Sequence, residues 1–153
     1  KLVPMKVHLI DTNVLLRDIQ QQDLNLRSLA REAIKKLFRQ GDTLCICPQN
    51  LIELWNVSTR PTNVNGLGLG IPETQRNVSR CEAFFRLLPE TPELFQEWKQ
   101  LVSVHQVSGL KVHDARLVAA MNVHQLSSLI TFDMEDFKRY PGITILHPQD
   151  VVR

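Results

Sequence analysis

Four acidic residues occupy matched positions in this sequence. Asp11 and Asp133 stand just past two apolar runs, Glu53 lies early in a helix after a third, and Asp114 sits on an inward helix face. If the runs are inner strands of a parallel sheet, all four acids lie at its carboxyl end, where open α/β sheets place their ligand crevices. Carboxylates gathered in this way repel and raise one another's pKa unless a divalent cation neutralises them. Ligation by oxygen alone, with no nearby Cys or His set, suits Mg²⁺ or Mn²⁺ and argues against structural zinc. Each acid also has a plainer reading. Asp11, Thr12 and Asn13 are all good helix caps, Glu53 suits the positive end of a helix dipole, and Asp114 could be held by a cation or by its own helix N-terminus.

The elements that must position these acids follow along the chain. Lys6-Val7-His8-Leu9-Ile10 has strand character and stops on Asp11, and Val14-Leu15-Leu16 opens a fresh apolar run. Residues 23–40 carry apolar side chains at helical spacing and stop at Gly41. Thr43-Leu44-Cys45-Ile46-Cys47 is a second strand, and Pro48-Gln49-Asn50 starts a helix through about Val57 that carries Glu53. Residues 59–72 have turn chemistry without periodicity and form a long loop, whose glycines lack the spacing of a dinucleotide fingerprint. Residues 73–88 read as a helix whose Phe84–Leu88 end could instead be a short strand. Thr91-Pro92-Glu93 starts the next helix, where Trp98 and His105 read as packed residues, as does Trp55 earlier. After a connector containing Gly109, His113–Val123 is helical and aligns Asp114 with Leu117, Val118 and Met121. A carboxylate turned inward there needs a partner. Ser127–Thr131 and Gly142–Leu146 supply the last strands, and His147-Pro148 ends the sheet.

This alternation predicts an α/β fold, a single domain over residues 5–153 with a central, mostly parallel sheet of four to five strands and helices on both faces. Residues 1–4 precede Met5, a possible initiator, and are read as a remnant outside the domain. With 153 residues the chain can bury a sizeable core, and 43% hydrophobic with 22% charged residues is ordinary for a globular protein. No apolar run approaches the roughly 18 residues of a membrane span, so no membrane partner is expected. A net charge of +2 confines any nucleic-acid contact to a local basic patch. Three cysteines without a metal-ligand pattern, and no secretory signal, point to a reducing cytoplasm.

The motifs, taken in order, carry a resemblance. A strand running into Asp11-Thr12-Asn13, then Glu53 in Leu51-Ile52-Glu53-Leu54-Trp55, then Asp114 in His113-Asp114-Ala115-Arg116, then Thr131-Phe132-Asp133 with Asp136-Phe137, resembles the PIN-domain ribonucleases. Within them the sequence is most similar to the VapC-like toxins of bacterial toxin–antitoxin pairs. The resemblance implies that Asp11 and Asp114, with Glu53, Asp133 and Asp136 directly or through water, hold one or two Mg²⁺ or Mn²⁺ ions that cut RNA. Either Asp133 or Asp136, or both, would supply the fourth acid. Such an ion would lower the pKa of a bound water and hold the scissile phosphate. Thr12, Asn13 and Thr131 would support the ligands by hydrogen bonds. RNA would enter along Arg17, Arg60, Lys111 and Arg116. The resemblance also implies a homodimer and a small cognate antitoxin, and the loop around Asn65-Gly66-Leu67-Gly68 is longer than many members have there.

Two readings from other classes stand beside it. A catalytically silent PIN-like module would bind RNA or protein without cutting, but such modules usually lack acids that are all present here. A phosphotransfer enzyme with Asp11 as nucleophile, of the haloacid dehalogenase type, needs a second Asp two residues on, where this chain has Asn13.

Overall fold

Buried residues alternate between the two faces of the inner strands, which is how a parallel sheet with helices on both sides is packed. The computed structural model describes residues 5–153, so the reading of residues 1–4 as a remnant lies outside the described residues. Strands β1 (Val7–Ile10), β2 (Thr43–Ile46), β3 (Arg86–Leu87), β4 (Ser128–Ile130) and β5 (Thr144–Leu146) lie in the order β3-β2-β1-β4-β5. Every neighbouring pair is parallel, with His8 opposite both Leu44 and Ser128. The expected sheet is therefore present in its five-stranded, wholly parallel form.

Helices α1 (Thr12–Ile19), α2 (Leu24–Arg39), α3 (Pro48–Thr59), α4 (Ile71–Phe84), α5 (Leu94–Val104), α6 (Lys111–Val123) and α7 (Pro148–Val152) complete the chain. On one face, Ile10, Leu44, Ile46 and Ile130 pack against Val14, Ala30, Ala33, Leu37 and Val151 from α1, α2 and α7. On the other, Leu9, Cys45 and Leu129 meet Leu117, Val118 and Met121 of α6. Each fully buried Leu or Ile in these layers contributes roughly 1.5–3 kcal/mol relative to exposure. Cys45, Cys47 and Cys81 are buried free thiols, and burial pushes those of Cys47 and Cys81 up to about 12 and about 11. No described helix is long and apolar enough to cross a membrane.

Local signals explain most boundaries. Asp23 caps α2, its Oδ1 accepting from the Leu26 N–H at 3.0 Å, and Gly41 follows the helix at φ +84°. At α3, Pro48 occupies the first turn and the Asn50 carboxamide oxygen accepts from the Cys47 N–H at 2.7 Å. Some expectations need adjustment. The segment at 84–88 is both things at once, because Phe85 is extended and hands α4 directly to β3. Helix α5 starts at Leu94, after a turn at Pro92-Glu93, while α6 starts at Lys111, before His113. His147-Pro148 ends the sheet as expected, and Pro148 then begins α7, which His147 caps by accepting from the Gln149 N–H at 3.0 Å. Trp98 and the edge-to-face pair His105–Tyr140 pack as expected, but Trp55 is only half-buried.

The loop after α3 is built rather than slack. The 3₁₀ turn Thr62–Val64 is followed by Gly66, Leu67, Gly68 and Leu69, whose N–H groups donate to the carbonyls of Pro61, Val57, Arg60 and Ser58 at 2.8–2.9 Å. A Cβ on Gly66 would lie 1.8 Å from the Arg60 carbonyl oxygen, so only glycine permits this approach.

Candidate active site

Asp11 closes β1 and opens α1. Its N–H continues the sheet ladder to the Ile130 carbonyl at 3.0 Å, and its Oδ1 accepts from the Thr12 N–H at 2.8 Å, which is the capping role. Its Oδ2 accepts from the Thr131 hydroxyl at 2.7 Å and the Asn13 amide at 3.3 Å. Only 7% of Asp11 is exposed, and burial pushes its carboxyl up from 3.8 to about 7. Hydrogen bonds from Thr131 and Thr12 oppose that shift, and the charges of Asp114 and Glu53 add to it. A cap alone has no need of such an environment.

Glu53 arrives from the second turn of α3. Its Oε2 accepts from the Thr12 hydroxyl at 2.9 Å and its Oε1 from the Gln49 amide at 2.8 Å. The Asn50 amide donates to the Thr12 oxygen at 3.0 Å, so that hydroxyl is directed at Glu53. From α6 comes Asp114, half-buried, whose carboxyl is pushed up to about 6 by burial first and then by Asp136, against the pull of Lys111. Lys111 Nζ stands 3.9 Å from Asp114 and ion-pairs directly with Asp136. Asp133, past β4, accepts from the Asn13 amide at 3.2 Å, and its N–H donates to the Thr131 hydroxyl oxygen at 3.0 Å. Asn13 is held in turn by the Phe132 N–H, which donates to its side-chain oxygen at 3.2 Å.

The structure thus brings Asp11, Glu53, Asp114 and Asp133 to the carboxyl end of the sheet, with Thr12, Asn13 and Thr131 as the hydrogen-bonding frame between them. Asp136 joins through Lys111. Gln49 and Asn50, 7% and 0% exposed, belong to the same frame, though sequence reasoning gave them no part beyond starting a helix. The i,i+4 spacing of Gln49 and Glu53 was the one available signal. Three of the four expected RNA-contacting cations are engaged inside the protein. Arg116 donates to Gln49 at 3.1 Å and to Glu90 at 2.9 Å, Arg60 donates to the Asn65 carbonyl at 2.9 Å, and Lys111 faces its two acids. Arg17, half-buried in the last turn of α1, lies four residues beyond Asn13.

Among the described residues, no three His, Cys, Asp or Glu side chains stand close enough to form a ready-made metal cage. The donors that are present are hard carboxylate oxygens, and Mg²⁺ is usually held by one or two of these with water filling its other positions. Buried Asp11 with half-buried Glu53 and Asp114 and exposed Asp133 beside it fits such a hydrated ion.

A family model described as the PIN domain matches residues 8–143. The chain belongs to the PIN-domain family. That is a nuclease family, so a hydrolase at family level, and its members generally use divalent metals. No curated protein sequence matches this PIN domain. Among solved structures it is similar to VapBC-1 from nontypeable Haemophilus influenzae, with TM-score 0.68 and 12% identity over 94% of this chain and 98% of that one. It is similar also to DNA-bound VapBC from Salmonella typhimurium, with TM-score 0.61 and 21% identity over 94% and 99%. A toxin-antitoxin complex from Klebsiella pneumoniae gives 0.62 and 18% over 92% and 97%. At these identities the likeness is one of fold.

Proposed function

We propose that this PIN domain is an Mg²⁺- or Mn²⁺-dependent endoribonuclease and the toxin of a toxin–antitoxin pair. The observation that carries the reading is the gathering of Glu53, Asp114 and Asp133 around the buried Asp11. Asp11 and Asp114 would hold the metal, with Glu53, Asp133 and Asp136 contributing directly or through water. When bound, the ion supplies a water of lowered pKa and a counter-charge for the phosphate. Thr12 and Thr131 fix the Asp11 carboxylate, and Thr12 and Gln49 fix Glu53, the group placed to orient the attacking water. Water attacks phosphorus and the bond to O3′ breaks, leaving 5′-phosphate and 3′-hydroxyl ends.

Purified protein incubated with structured and unstructured RNAs should cleave them with Mg²⁺ or Mn²⁺ and stop in chelator. Cleavage at full rate in chelator would remove the metal mechanism. Binding without cleavage would favour the silent PIN-like module instead. The aspartyl-phosphate alternative is weaker, since the Asn13 amide occupies the place a second acid would need and bonds the Asp11 oxygen itself.

The likeness to VapBC and to a toxin-antitoxin complex supports a protein partner. We place there a small antitoxin whose basic side chain enters the acidic cluster, and a homodimer in the cytoplasm. Expression of the chain alone should arrest growth, and light scattering should give about twice 17.6 kDa. A monomer that is harmless when overexpressed, with RNase activity intact, would sink the toxin assignment and leave the nuclease standing.

A further inference from the structure

The acidic cluster cannot attract RNA by itself, because before a metal is bound its charges repel phosphate. Binding energy must come from groups nearby that act independently of charge sign, and a groove between α5 and α6 offers them. Phe95 on α5 is 60% exposed, and its ring leans on Trp98 with centroids 5.8 Å apart and planes tilted by 34°. Trp98 packs partly on the core, and its indole N–H donates to the Val112 carbonyl at 2.8 Å, which fixes the ring. With Leu94, Val112, His113 and Arg116 these rings line a groove of about 450 Å³, within the usual range of small-ligand sites.

The groove is joined to the acids through α6 and Gln49. His113 lines it, and Asp114 is the next residue on the same helix. The Gln49 amide that holds Glu53 also donates to the His113 carbonyl at 2.8 Å, and the Gln49 side-chain oxygen accepts from Arg116. Arg116, ion-paired with Glu90 where both line the groove, ties the groove to that frame.

We propose that this groove takes one unpaired nucleobase of the substrate, stacked on Phe95 and Trp98, and so presents the adjoining phosphate to the acids. The inference rests on the ribonuclease reading, and because only a base free to splay out can stack there, single-stranded RNA should fill the groove and continuous duplex should not.

The chain has two tryptophans, so a Trp55→Phe background leaves Trp98 as the only indole. Titrations in chelator, where no cleavage occurs, use an oligoribonucleotide as single strand and as duplex, with fluorescence anisotropy of a labelled strand as an independent measure of binding. We expect the single strand to quench Trp98 and the duplex to quench it far less. Phe95→Ala, at an exposed position, should keep the parental melt and weaken single-strand binding about tenfold. Binding of the single strand without quenching, or equal affinity of Phe95→Ala and its parent, would overturn the inference. So would a dimer that becomes monomeric in Phe95→Ala with RNA affinity unchanged, since the groove would then be a protein interface. Cleavage with an unchanged KM in Phe95→Ala removes the groove and leaves the nuclease. Stacking without metal-dependent cleavage removes the nuclease and leaves the groove.

Discussion

Asp114→Asn should nearly abolish metal-dependent RNA cleavage while leaving the metal-free protein as stable as its parent or more so. The side chain is 29% exposed and shares its helix face with the fully buried Leu117, Val118 and Met121. Lys111 at 3.9 Å is beyond hydrogen-bond reach, and Asp136, Glu53 and Asp133 all disfavour the charge. Asn keeps the shape and removes one negative charge, which relieves repulsion on the scale of about 1 kcal/mol. With Mg²⁺ the parent gains stability by mass action, and the variant should gain much less. Cleavage should fall by at least about a hundredfold, since even the outer partners of metal ligands are worth about 10–100-fold. A purely structural Asp114 in the first turn of α6 predicts the other sign. It would favour the helix dipole, and Asn would then cost about 0.3–1 kcal/mol with or without metal. Melts of both proteins with and without Mg²⁺, run beside the cleavage assay, separate the two. Equal metal-induced shifts and undiminished cleavage would end the claim that Asp114 is a ligand.

The acids were legible in the sequence because each is tied to a local signal. Asp11 and Asp133 follow apolar runs, and Asp114 is the one polar residue in line with Leu117, Val118 and Met121. Those signals depend only on period and punctuation, which the chain carries along its length. What holds the acids in place was not legible. Gln49 and Asn50 matter because α3 lies against Thr12 and the His113 carbonyl, contacts across 38 and 64 residues that no spacing reveals. The basic residues show the same gap in reverse. Arg60, Lys111 and Arg116 read as RNA-contacting charges until the fold supplies Asn65, Asp136 and Glu90 as their partners. Pro148 shows that a residue able to stop a strand can equally begin a helix, and only the His147 cap decides between them.

Metal-free protein should be more stable at pH 5 than at pH 8, the reverse of what paired carboxylates usually give. Burial raises Asp11 to about 7 and Asp114 to about 6, each from 3.8. Between about pH 4 and 7 the folded chain keeps protons that the unfolded chain has released, so stability falls as pH rises through that window. The contribution is fully present below the unfolded value and lost above the folded one. For Asp11 the shift is about three units, on the order of 4 kcal/mol in all, most of it lost between pH 5 and 8. Half-buried Asp114 adds a smaller amount, discounted for solvent screening. Mg²⁺ competes with those protons, so it should restore stability at pH 8 and do little at pH 5, and cleavage should rise with pH through the same range. Asp11→Asn removes the larger titration while its one remaining acceptor oxygen can still cap the Thr12 N–H, and should flatten most of the slope. Urea unfolding at pH 5, 6, 7 and 8, in chelator and in Mg²⁺, measures each term. A parent that is more stable at pH 8 than at pH 5 in chelator, with the same slope in Asp11→Asn, would show that Asp11 is ionised in the metal-free fold. The repulsion that makes this end of the sheet a cation site would then be absent.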